Sequence, residues 1–84
     1  MIKWRLSEVM ARHQVTGREL ANLLNRHESS ITKIRATKIM PRLSATSLNE
    51  LLNGLNKLKK TEVDHVITPN DLIDYEPGDL EESA

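Results

Sequence analysis

Apolar residues recur at helical spacing through the first sixty positions, and the rhythm then changes. In WRLSEVMARHQ (4–14), Leu6, Val9, Met10 and His13 fall at i, i+3, i+4 and i+7, the one-sided stripe of an amphipathic helix. The residues before it, Met1 to Trp4, either extend that helix or form a short strand. TGRELANLL (16–24) follows with Leu20, Ala21, Leu23 and Leu24 as its inward face. Thr16 and Glu19 make a capping box, and Asn25 tolerates the left-handed conformation that ends helices, so this helix is short, about two turns. The next periodic stretch begins near Glu28, with Ile31 and Ile34 inward and Glu28, Ser29, Thr32, Lys33 and Arg35 outward. TKIMPRL (37–43) reads as a loop, because Met40 precedes Pro41 and is biased to extended backbone. Ser44 to Ser47 offers several N-caps for a fourth helix with the stripe Leu48, Leu51, Leu52, Leu55 and Leu58. Gly54 weakens that helix by about 1 kcal/mol relative to Ala.

Beyond residue 60 the pattern differs. VDHVI (63–67) alternates as a short strand does. Thr68-Pro69-Asn70-Asp71 supplies an N-cap, a proline at the first helical position and an acid in the first turn, so one helical turn over NDLID is expected. EPGDLEESA (76–84) has the composition of a disordered end. The expected organisation is a helical domain over 1–60, an ordered extension over 61–75 and an acidic disordered tail over 76–84. The expected fold class is all-α: a compact four- to five-helix bundle plus an extension with a short strand.

Composition narrows the picture. Eighty-four residues make one domain with a small core. Trp4 and Tyr75 are the only aromatics and there is no Phe, so the core is aliphatic, which suits helices. Absence of Cys fits a reducing cytoplasm. MIKWRLSEVM carries no apolar run long enough for a signal peptide or a membrane span, so a soluble cytoplasmic protein is expected, with no membrane partner. The zero net charge conceals a division. All twelve Lys and Arg lie in residues 1–60, where only Glu8, Glu19, Glu28 and Glu50 oppose them, leaving +8. Residues 61–84 hold the other eight acids and no Lys or Arg, a charge of −8. Such a split suggests a basic binding body with an acidic appendage.

Two short helices separated by Asn25, Arg26 and His27 are a helix-turn-helix arrangement. TGRELANLLNRHESSITKIRATKIMPRLSATSLNELLNGL, with the helix before it, resembles the helix-turn-helix domain of phage Cro and repressor proteins, the xenobiotic-response-element (XRE) family. The resemblance covers about residues 2–58. Ala21 stands at that family's small residue between the helices, and Asn25 stands at its turn residue, usually Gly. Leu20, Leu24, Ile31 and Ile34 stand at its core positions, and Pro41 and Leu48 at the start of its next helix. Two positions depart from the family pattern. Arg26 replaces an apolar residue after the turn, either covering the core with its stem or marking a differently built turn. His27 replaces the usual Ser or Thr cap. The resemblance implies a compact bundle of four or five helices that binds operator DNA, generally as a dimer.

The residues themselves fit that implication. A recognition helix presents polar side chains at its N-terminal end and along one face, as His27, Glu28, Ser29, Thr32 and Lys33 do. Lys33 suits guanine O6 and N7, and Glu28 suits cytosine N4. Against these stand plainer roles: a solvated Lys33, a Glu28 that stabilises the helix N-terminus, a His27 that only caps. Arg18 opens the preceding helix, where a cation and backbone amides share a phosphate. Arg35, Lys38 and Arg42 follow the recognition helix along the phosphate backbone. Leu55, Leu58, Val66, Ile67, Ile73 and Tyr75 are the dimer candidates.

The leading expectation is a sequence-specific DNA-binding transcriptional regulator, a homodimeric repressor acting on double-stranded DNA. The alternative is an antitoxin or other interaction module whose acidic residues 61–84 bind a partner protein. An enzyme is not expected: no nucleophile–base pair, paired carboxylates or phosphate loop stands out. His13, His27 and His65 have no metal-ligand spacing, so neither metal nor cofactor is expected.

Overall fold

The computed structural model describes residues 2–61 and 64–78. Its elements in chain order are β1 (Ile2–Trp4), α1 (Leu6–Arg12), α2 (Gly17–Leu24), α3 (Glu28–Ala36), α4 (Ala45–Leu58), α5 (Pro69–Leu72) and β2 (Ile73–Tyr75). Among the described residues the chain is mostly helical, with five helices and one small two-stranded sheet, in line with a helical bundle whose extension carries a short strand.

Local chemistry accounts for the helix ends. The Thr16 hydroxyl accepts from the Glu19 amide and the Glu19 carboxylate accepts from the Thr16 amide, which starts α2. Asn25 ends it at φ 54°, ψ 48°. Ser44 caps α4, accepting from the Ser47 amide. Thr68 and Asp71 form a second capping box ahead of Pro69, and α5 is a single turn. The inward stripes meet in one core of Trp4, Leu6, Val9, Met10, Val15, Leu20, Ala21, Ile31, Leu51, Leu55, Ile67 and Leu72. α2 packs on both α3 and α4. Gly54 permits the second contact, because a Cβ there would lie 2.8 Å from Leu20 Cδ1. His13 also sits in the core, with its ring nitrogen Nδ1 3.2 Å from the Thr61 hydroxyl.

The strand expected over 63–67 is not formed by 64–67, and Val63 lies outside the described residues. The Asn56 side chain on α4 takes the place of a neighbouring strand. Its Oδ1 accepts from the Ile67 amide at 2.7 Å, and its Nδ2 donates to the Ile67 carbonyl at 2.9 Å. The strand falls instead at Ile73–Tyr75, where a continued helical turn was expected. β1 and β2 pair antiparallel, Ile2 opposite Tyr75, Lys3 opposite Asp74 and Trp4 opposite Ile73. On its other side β1 meets the loop after α3: Ile39 bridges Lys3, and the Trp4 amide donates to the Lys38 carbonyl at 2.8 Å. The Trp4 indole donates to the Ile34 carbonyl at 3.1 Å, tying this small sheet to the end of α3. Glu76, expected in a solvated tail, pairs with Lys3 at 2.8 Å. The rest of the tail expectation, residues 79–84, lies outside the described residues.

Candidate nucleic-acid interface

α3 has a sharp division of faces. Ile31 is fully buried and Ile34 half-buried, while His27, Glu28, Ser29, Thr32 and Lys33 are exposed. Spacings of three and four residues make 28, 29, 32 and 33 neighbours on one helical surface. His27 occupies the N-cap position in extended backbone without a side-chain cap bond, so its ring is not committed to the helix. The Thr32 hydroxyl donates to the Glu28 carbonyl at 3.0 Å, which leaves its oxygen lone pairs and methyl group facing outward.

The Arg26 side chain lines a hollow of about 50 Å³ with Leu24, Ile31, Ile34, Leu43, Ser47 and Leu51, and its guanidinium reaches Glu50 at 3.2 Å.

Ion pairs engage several of the cations. Lys3 pairs with Glu76, Arg5 with Glu8, Arg26 with Glu50 and Lys60 with Glu19. Among the described residues no ion pair engages Arg18, Lys33, Arg35, Lys38 or Arg42, the five cations assigned to nucleic acid from sequence. Arg18, Lys33, Lys38 and Arg42 are exposed and Arg35 is half-buried. Arg35 lies against the first turn of α2: a Cβ at Gly17 would be 3.5 Å from its Nη1. A guanidinium beside a helix N-terminus opposes the positive end of the dipole. Sequence periodicity placed Arg35 outward but gave no sign of this contact, which depends on how α3 crosses α2.

Electrostatics elsewhere is internally balanced. Lys60 and the Thr16 amide and hydroxyl hold the Glu19 carboxyl down from its usual 4.5 to about 2. The Thr68 amide, with help from His65, lowers Asp71, and Lys3 lowers Glu76. His65 stacks on His13 with ring centroids 6.2 Å apart and reaches Asp71 at 3.3 Å. No group of three His, Cys, Asp or Glu among the described residues is arranged to hold a metal ion.

The dimer candidates need correction. Leu55 and Ile67 are fully buried in the chain's own core and have no surface to offer a partner. Leu58 and Ile73 are partly buried against that core, and only Val66 and Tyr75 are well exposed. The Asn56 contacts hold the Ile67 main chain against α4, with the Ile67 side chain in the core.

No described helix is long and apolar enough to cross a membrane. Comparison of the chain with protein-family models, with curated proteins and with solved structures finds no match.

Proposed function

We propose that the chain is a sequence-specific DNA-binding regulator, a repressor working as a dimer, in which α2, Asn25–His27 and α3 form a helix-turn-helix and α3 reads the major groove. One observation carries this reading. Lys3, Arg5, Arg26 and Lys60 are each held by a carboxylate, whereas Arg18, Lys33, Arg35, Lys38 and Arg42, on and around α3, have no ion pair among the described residues. Neutralising phosphates is the sequence-independent part of such binding, and the exposed set His27, Glu28, Ser29, Thr32 and Lys33 supplies base readout.

The alternative, an antitoxin that offers residues 61–84 to a protein partner, is less well supported. Residues 64–78 fold back on their own bundle through Ile67, Leu72, the Asn56 contacts and the β1–β2 pairing. A segment committed in this way is not a free recognition strand.

Selection of bound duplexes from a random DNA pool tests the proposal. The expected result is a short motif with two-fold symmetry, recovered again from variants that keep α3 intact. Retention of all sequences equally, at low salt only, would remove sequence-specific regulation as the function.

A further inference from the structure

α4 carries a second surface, away from the contacts that build the core. Leu23 and Leu24 of α2 and Gly54 of α4 form the apolar floor of an open groove of about 410 Å³, with Glu50, Asn53 and Lys57 along its rim. Leu23 remains 38% exposed, one of the few large apolar side chains left in solvent. Gly54 has no side chain to fill the groove. Glu50 and Lys57 are seven residues apart, two turns or about 10 Å along one helix face.

We infer that this groove seats a second copy of the same chain, α4 against α4, around a two-fold axis passing between Asn53 and Gly54. The inference rests on the DNA-binding reading for its purpose and on the α2–α4 groove for its geometry. Charge complementarity under the symmetry itself favours this occupant. In an antiparallel pair centred between Asn53 and Gly54, Glu50 meets the partner subunit's Lys57, and Lys57 meets the partner subunit's Glu50. An isologous interface needs this self-complementary order of charges, and this register gives both residues an opposite charge at once. Leu23 of each copy enters the groove of the other.

Both charged groups are prepared for this. The Arg26 guanidinium binds Glu50 through Oε2 at 3.2 Å and leaves Oε1 for a second donor. Lys57 has no ion pair among the described residues. Two copies related in this way bring two α3 helices into a two-fold arrangement, which is what a palindromic operator requires.

Sedimentation equilibrium of the full chain without DNA tests the seam. The expected result is a monomer–dimer equilibrium that weakens about tenfold or more in Lys57→Glu, where like charges now oppose. The charge swap Glu50→Lys with Lys57→Glu is expected to restore it to within a few-fold. Leu23→Asp is expected to weaken it without rescue. Thermal melting checks that each variant folds, and Lys57→Gln, a milder change with a smaller expected loss, replaces Lys57→Glu if that variant does not. A parent chain that stays monomeric at high concentration overturns the inference. So does a dimer indifferent to both Lys57 variants, or one that dissociates only with Tyr75→Lys at the open edge of β2. The DNA selection is read separately: a dimer that recovers no motif sinks the function and keeps the seam, and a monomer that recovers one does the reverse.

Discussion

Arg26 and Lys33 are both cations near α3, and their surroundings give them opposite work. Arg26 borders the same small hollow as Leu24, Ile31 and Leu51, and its head is held by Glu50 at the surface. An exposed pair of that kind contributes about 0–1 kcal/mol, so the stem matters more than the charge. Arg26→Leu is therefore expected to melt at or above the parent temperature, and a clear loss of stability would show that the pair, not the coverage, holds the turn. Lys33 covers nothing and pairs with nothing among the described residues. Lys33→Ala is expected to leave melting unchanged and to cost about 1–3 kcal/mol on the selected operator, with relaxed preference at one base pair. Equal loss on operator and random DNA would make it a phosphate contact. Ile31 is the buried counterpart on the same helix, and Ile31→Ala is expected to cost about 2–5 kcal/mol in urea unfolding. The sequence distinguished these residues well, because inward and outward positions on a nine-residue helix follow from spacing alone. It did not reveal that Arg35 reaches Gly17, since that needs the crossing of two helices.

At the scale of elements, boundaries set by local chemistry were legible. The Thr16–Glu19 box, the left-handed Asn25, the Ser44 cap and the Thr68–Pro69 start all stand where the residue types put them. What depends on distant partners was not legible. VDHVI alternates like a strand, but its main chain is met by a side-chain amide from α4, while β2 pairs with residues some seventy positions earlier. Asn56 is consequently a structural element in its own right. Asn56→Ala leaves the Ile67 amide and carbonyl without those partners, and a loss of about 1–3 kcal/mol is expected in urea unfolding. The α2 cap gives a pH dependence with a definite sign. Glu19 titrates near 2 in the folded chain against 4.5 ordinarily, so folding favours its charged form. The stability this contributes is complete above the ordinary carboxylate range and drains away as pH falls toward 2. Asp71 and Glu76, also lowered, act in the same direction. Melting temperature is expected to fall through this acid range, and to fall less steeply in Glu19→Gln; parallel curves for the two proteins would separate Glu19 from the effect.

Across the whole molecule the segregation of charge takes on a physical form. The −8 of residues 61–84 does not simply trail from a +8 body. Glu76 neutralises Lys3 on β1, and Asp74 stands opposite that lysine. Part of the acidic segment is thus consumed by the sheet, and Ile67 and Leu72 from the same segment complete the core. Charge and packing can be separated by two truncations. Ending the chain after Gly78 removes Asp79, Glu81 and Glu82 and keeps every buried side chain of the described residues. It is expected to leave melting unchanged and to tighten binding to every duplex at low salt, because three negative charges no longer oppose phosphate. Ending it after Lys60 removes eight negative charges, but also takes away Ile67 and Leu72, both fully buried, and the partner strand of β1. Each such residue is worth about 2–5 kcal/mol in a core, against a total stability of about 5–15 kcal/mol for an ordinary domain. The longer truncation is therefore expected to unfold near physiological temperature by circular dichroism and to lose operator binding despite its more favourable charge. A stable, tighter-binding product from that cut would mean that residues 61–78 are ballast on the bundle, with electrostatic repulsion as their only effect on DNA.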